Sequence, residues 1–327
     1  MNTKQSRTYR QLTIYCYPFI GLCLGLMACS QNRTSPKQDL PLPSVFVSVL
    51  GIAQDAGYPQ AGCRKACCQR VYRGEQEAQS PVCLGIVDQI GKISWMIDAS
   101  PDFPAQYYDL GNFARQNQFG GIWLTHAHIG HYTGLIHLGR EVMGARQVPV
   151  YTMPRMQHFL DSQAPWSQLV SLQNISLKPI QADSTYILNS QIAIEPVQVP
   201  HRSEFSETVG YRISGPTKSL LFIPDIDKWT DWDRDIRDYI AKVDYALLDG
   251  TFFANGEIPG RDMSEIPHPF IEESLKLFNT LSPDLRSRIY FTHFNHTNPV
   301  LNPGSAERQT LLDEGYRVAE EGMVLAL

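Results

Sequence analysis

The sequence predicts an α/β domain of mixed strands and helices, placed behind a short N-terminal export segment. Three observations carry that expectation. Short apolar or alternating runs of strand length recur along the chain, and several end on an aspartate or a histidine. Between them, apolar residues return at helical spacing. The clearest case is "PHPFIEESLKLFNTL" (267–281), where Phe270, Ile271, Ser274, Leu275 and Phe278 share one face. The composition, 43% hydrophobic and 19% charged over 327 residues, is that of an ordinary globular chain with ample core. The net charge of −5 argues against a general nucleic-acid partner, because phosphate contacts need a basic surface.

The N-terminus has a different character. Lys4, Arg7 and Arg10 precede the apolar run "LTIYCYPFIGLCLGLMAC", which is short for a spanning helix and fits the apolar region of a secretory signal. The run ends Leu26-Met27-Ala28-Cys29, which resembles a bacterial lipobox. Cleavage would fall before Cys29, and that cysteine would carry lipid. Residues 1–28 are therefore expected to be a lipoprotein signal peptide, 29–43 a polar, proline-bearing tether, and 44–327 the functional domain. Ser30 resembles the residue after the cysteine in lipoproteins sorted to the outer membrane. The expected location is the bacterial cell envelope, lipid-anchored in the outer membrane and facing the periplasm.

Within the domain the strands follow in order. "SVFVSVLG" (44–51) alternates and then meets glycine. "KISWMIDAS" (92–100) carries Asp98 near its end, and "GGIWLTHAH" runs into a histidine loop. Leu135, Leu138, Val142 and Met143 then repeat at helical spacing, so a helix is expected after that loop. "VPVYTM" (148–153) is a strand, and "IAIEPVQVPH" (192–201) ends at His201. "ETVGYRIS" (207–214) and "KSLLFIPD" (218–225) read as a strand pair about a Gly215-Pro216 turn. "VDYALLDG" (243–250) and "RIYFTHFN" (288–295) complete the set, the last carrying His293. "WTDWDRDIRDY" (229–239) reads as the start of a surface helix.

"WLTHAHIGHYTGL" (123–135) packs His126, His128 and His131 into six residues after an apolar run. Residues two apart on an extended segment project to the same side, so His126 and His128 can reach one ion. His131, past the turn, can serve an adjacent position. His201, Asp225 and His293 each end a predicted strand, and strand ends along one sheet edge can meet in space. Imidazole and carboxylate ligands in this number are those of a divalent metal site on a loop held by a rigid scaffold.

With these residues in place, the chain resembles the metallo-β-lactamase fold superfamily. Its signature is His-x-His-x-Asp-His after a strand, with an earlier strand-end aspartate, a later histidine, a bridging aspartate and a final histidine. Asp98, His126, His128, His131, His201, Asp225 and His293 match in order. The resemblance implies a four-layer αββα sandwich with metal at one edge. It implies a first ion on His126, His128 and His201, and a second on His131 and His293, with Asp225 bridging. Asp225 and His293 are then the expected catalytic residues. Asp98 would orient the histidine loop from behind, and Asp249 in "LLDGTF" would be a supporting carboxylate or a helix cap. Gly130 stands where the family has aspartate. The second position is therefore expected to lack a carboxylate, and Gly130→Asp to raise metal content. The glycine itself is expected to serve a positive φ.

The closer resemblance is to the pyrroloquinoline-quinone biosynthesis protein B group. It is carried by "GYPQAGC" (57–63), "IDASPDF" (97–103), "HIGHYTGLIHLGRE" (128–141), "LLDGTFF" (247–253) and "FTHFNHTNPVLNPGSAER" (291–308). That group holds a structural zinc in an N-terminal cysteine cluster, acts on a peptide-derived or quinone-precursor substrate, and has had a metal-dependent oxygenation ascribed to it. The complete His126–His128 pair and the export segment depart from it. On their own terms, Cys63, Cys67, Cys68 and Cys83 suit a tetrahedral zinc or two disulfides; the resemblance favours zinc. His268 and His296 are expected at the rim, with surface roles.

Three functions remain open on the sequence. The first is a zinc hydrolase with one or two ions at the histidine edge, acting on an ester, thioester or phosphodiester in a small-molecule or peptide-derived substrate. A β-lactamase is disfavoured by aspartate rather than cysteine at 225. The second is an iron-dependent oxygenase, since histidines with a carboxylate also suit Fe(II). The third is a non-catalytic lipoprotein that binds metal or a cofactor.

Overall fold

The computed structural model describes residues 41–114, 118–202 and 204–327. Cys29, the signal segment and most of the tether lie outside the described residues. Among the described residues, no helix is long and apolar enough to cross a membrane.

The strands are β1 (Val45–Gly51), β2 (Cys83–Asp88), β3 (Ile93–Ile97), β4 (Gln118–Trp123), β5 (Val148–Thr152), β6 (Ile175–Pro179), β7 (Tyr186–Ile187), β8 (Ala193–Gln198), β9 (Val209–Ser214), β10 (Ser219–Ile223), β11 (Tyr245–Asp249), β12 (Ile289–Thr292), β13 (Arg317–Val318) and β14 (Val324–Ala326). They form two seven-stranded sheets, in the orders β14-β1-β2-β3-β4-β5-β6 and β13-β12-β11-β10-β9-β8-β7. Each sheet is mixed. β3 to β6 pair in parallel, as do β10 to β13, while β14-β1-β2-β3 and β7-β8-β9-β10 pair antiparallel.

Every residue of β1 is buried, which a strand covered on both faces requires. Val45, Val47 and Val49 belong to the core that includes the second sheet. Phe46 and Leu50 face the other way, into a core with Leu110, Met156 and Leu169 from the covering helices Phe103–Ala114, Pro154–Ser162 and Trp166–Ser171. On the far side, Ile236, Ile240, Ile271 and Phe278 bring helices Ile236–Ile240 and Ile271–Phe278 onto the second sheet. The result is the αββα sandwich.

The fold differs from the sequence reading in detail. The expected helix after the histidine loop is only one turn, Ile129–Tyr132, followed by 3₁₀ turns over Thr133–Leu138. Leu135 and Leu138 are buried, but Val142 and Met143 are exposed and end the apolar face. In the 229–239 segment, Trp232 and Ile236 are buried, so it is more than a surface helix start.

Candidate metal centre

The ends of β3, β4, β8, β10, β11 and β12 deliver Asp98, the histidine loop, His201, Asp225, Asp249 and His293. Parallel neighbours place their C-terminal ends on one edge, where loops can carry chemistry. Asp98 and His293 take positive φ of 68° and 63°, a conformation most side chains avoid. Held strain of this kind concentrates at functional sites.

Asp225 is the hub. One of its carboxylate oxygens lies 2.9 Å from His131 Nε2, 3.2 Å from His293 Nε2 and 3.6 Å from His126 Nε2. The other lies 3.6 Å from His201 Nε2 and 3.5 Å from His268 Nδ1. His126 Nε2 is 2.9 Å from His128 Nδ1. Two groups have the spacing of ligands to one ion: His126, His128 and His201, and His126, His131 and Asp225. Further groupings of the same kind join His268 to His201 and Asp225, and to Asp249 and His293.

Buried partners fix the ring orientations. His131 Nδ1 is 2.8 Å from Asp98 Oδ2, and His201 Nδ1 is 3.0 Å from Asp227 Oδ1. His293 Nδ1 is 2.8 Å from Thr251 Oγ1, and His268 Nδ1 is 2.8 Å from Asp249 Oδ2. An imidazole that donates from Nδ1 to a carboxylate presents its Nε2 lone pair, as metal ligands do. The buried Nε2 atoms of His201 and His293 have no hydrogen-bond partner, while that of His131 faces the Asp225 carboxylate at 2.9 Å. Orphaned lone pairs at this depth are costly unless a cation meets them, so the donor set fits a divalent ion.

Burial pushes Asp225 up, but the imidazoles of His293, His201 and His131 outweigh it and hold the carboxyl well below its usual range. Burial likewise opposes protonation of His131, yet Asp98 and Asp225 hold it well above the usual histidine value. Burial, reinforced by His131, drives His126 well below that value, which keeps a neutral ligand.

Asp98 and Asp249 both stand behind the ligands, Asp98 on His131 and Thr125, Asp249 on His268 and Thr251. Two readings change. His268, expected at the rim, is only 3% exposed and belongs to the cluster. Gly130 lies in the helical turn without positive φ. Its reason is close approach: a Cβ there would meet Asp55 Cα at 2.4 Å and Asp55 Oδ1 at 2.5 Å. An aspartate at 130 has no room, so the expected gain of metal from Gly130→Asp does not follow. Sequence reading also missed Asp227, although "DID" repeats the ligand type two residues on from Asp225.

The cysteine assignment is corrected at one position. Cys83 begins β2 inside the helix-side core, its thiol 3.6 Å from the carbonyl of Asp98, away from the other three. The fourth member is His296, which is therefore not a simple surface residue: its Nδ1 lies 3.4 Å from Cys68 Sγ and 3.6 Å from Cys67 Sγ. Cys63 and Cys67 Sγ are 3.8 Å apart, the roughly 3.8 Å edge of a tetrahedron with metal–sulfur bonds of about 2.3 Å. All four described cysteines are free thiols. Burial, ahead of its thiol neighbours, pushes Cys68 up to about 12. A cation is what would let such a cluster ionise together.

Two stacked mixed sheets with imidazoles and carboxylates gathered at one edge define a sandwich protein with a metal-binding rim. The chain belongs to the beta-lactamase superfamily: the family described as beta-lactamase superfamily domain matches residues 95–294. It is similar to coenzyme PQQ synthesis protein B of Klebsiella pneumoniae, 27% identical over 86% of this chain and 98% of that protein. The corresponding protein of Acinetobacter baylyi is 26% identical, over 86% and 99%. Among solved structures, Zn(2+)-bound PqqB from Methylobacterium extorquens aligns with a TM-score of 0.72 and 23% identity, covering 86% of this chain and all of that one. A diphosphatase from the PhnP family aligns at 0.59 and 20%, over 86% and 98%. These alignments agree with the sandwich.

Proposed function

We propose that the chain is a metal-dependent hydrolase of esters, thioesters or phosphodiesters, anchored in the cell envelope through lipid on Cys29. The observation that supports it most is the set of fixed imidazole lone pairs around one ionised carboxylate, Asp225. His126, His128 and His201 would hold one ion, and His131 and His293 a second, with Asp225 shared. A zinc-class ion supplies Lewis acidity toward the attacked group and toward water. Asp225, held ionised, can accept a hydrogen bond from an attacking water and orient it. His268, whose Nδ1 proton faces Asp249, is pushed up against burial by Asp249 and Asp225, leaving Nε2 to pass a proton to a leaving group. Cys63, Cys67, Cys68 and His296 would hold a structural zinc.

The test is metal removal. Protein stripped with a chelator and reloaded with zinc, manganese or iron is assayed on p-nitrophenyl acetate, a thioester and bis-p-nitrophenyl phosphate. At least one is expected to be cleaved by reloaded protein and on the order of 10³-fold more slowly by stripped protein. No metal-dependent cleavage of any of the three would count against the reading. For the anchor, palmitate label is expected in the wild type and absent from Cys29→Ser; equal labelling would sink it. A second reading, a role in coenzyme PQQ synthesis, is favoured by similarity to the proteins of that name over 86% of the chain. Oxygen consumption by the iron-loaded protein, without hydrolysis, would favour it.

A further inference from the structure

We propose that Asp55 is a ligand of the second ion, taking over the carboxylate that the histidine loop lacks at position 130. The inference rests on the metal-centre reading above and adds a ligand from a different part of the chain.

Asp55 lies in the loop after β1, ahead of the cysteine cluster. That loop is tied to the site from behind: the Gln54 amide donates to the carbonyl of Phe294, next to His293, and the Gly57 amide closes a turn onto Gln54. The Gly130 amide donates to Asp55 Oδ1 at 3.2 Å. The same oxygen lies 3.9 Å from His131 Nε2. Two atoms bound to one zinc-class ion at about 2.1 Å are at most roughly 4.2 Å apart, so the separation is within reach of a shared ion.

The second observation is independent of Asp55. His131 Nε2 and His293 Nε2 are buried, on side chains 0% and 1% exposed, and His293 Nε2 has no hydrogen-bond partner. Both converge on one oxygen of Asp225, at 2.9 Å and 3.2 Å. The group therefore offers two imidazoles and one carboxylate, and Asp55, its side chain 26% exposed, approaches it at His131.

The steric relation explains why only one carboxylate is present. A side chain at 130 would start within 2.4 Å of the Asp55 backbone. Any side chain at 130 meets the backbone of residue 55, and glycine at 130 is what lets the β1 loop come close. The ligand has moved from the histidine loop to the β1 loop, with its oxygen kept beside residue 130.

The experiment counts ions by plasma mass spectrometry and calorimetric titration with Zn²⁺, on wild type, Asp55→Asn, Asp55→Ala and Gly130→Asp, with circular dichroism to verify the fold. Wild type is expected to hold three ions per chain, including the cysteine site. Asp55→Ala and Asp55→Asn are expected to hold two. The asparagine can still accept the Gly130 amide, so a merely structural Asp55 would be rescued by it and a ligand would not. Gly130→Asp is expected to lose the ion, because its Cβ would push the Asp55 backbone away. A folded Asp55→Asn with three ions and a Zn²⁺ affinity within twofold of wild type overturns the proposal. Wild type with two ions overturns it too but leaves the histidine-edge reading standing. Wild type with an ion at the cysteines alone overturns both.

Discussion

Asp225→Ala is expected to empty the histidine edge of metal and to lower kcat/KM on the cleaved substrate by at least roughly 10³-fold, the scale of a lost Lewis acid. Four histidine Nε2 atoms and His268 Nδ1 lie within 3.6 Å of this one carboxylate. The four rings that present Nε2 are each held by a partner on Nδ1, so none of them can turn away to compensate. Alanine removes the shared ligand and the carboxylate charge that lies between the two cation positions. The imidazoles are then left facing one another in a buried space, which opposes loading of either position. Asp225→Asn keeps the shape and separates charge from volume; it is expected to retain less metal than wild type and to remain poorly active. Metal content and kcat/KM measured on the same preparations check both variants. Full metal content in Asp225→Ala would show that the edge is not organised around this residue.

Cys68→Ser is expected to remove one ion, leave the histidine-edge ions in place and lower Tm by roughly 5–10 °C. Its thiol is wholly buried, accepts the Gln60 amide at 3.3 Å and faces His296. The cluster joins helix Ala66–Tyr72 to the segment that follows His293. A serine oxygen is a poorer ligand for a zinc-class ion and reaches less far. A loss of about 3 kcal/mol, a fraction of what a structural zinc can contribute, gives a shift of that order for a domain of this size. Cys83→Ser is the control, expected to leave the ion count unchanged because Cys83 lies in the helix-side core. Metal analysis and thermal melts decide. An unchanged count in Cys68→Ser, or a lost ion in Cys83→Ser, would reverse the assignment made here.

The strands that carry ligands were legible because each couples an apolar run to a polar end: Asp98, His201, Asp225 and His293 all close such runs. Their order along the chain was enough to suggest the sandwich. β2 was not legible, since "CLGIVD" is covered on both faces and has no alternation to read. The helix expected after the histidine loop failed for a related reason: Val142 and Met143 kept the spacing, but packing stopped at Leu138. At the site, what the sequence could not show was proximity between distant loops. Asp55 and Gly130 are 75 residues apart and explain each other only when their backbones meet. Cys68 and His296, 228 residues apart, do the same. Four cysteines invited a four-thiolate site, and nothing in their spacing revealed that β2 buries Cys83 elsewhere.

The most direct measurement is anomalous X-ray scattering, at the zinc and iron edges, from crystals of the purified protein. Peaks are expected at the histidine edge, one among His126, His128 and His201 and one beside His131 and His293, together with a zinc peak among Cys63, Cys67, Cys68 and His296. A zinc peak at the cysteines with none at the histidine edge, in protein that gains no hydrolysis from any added metal, would contradict that expectation.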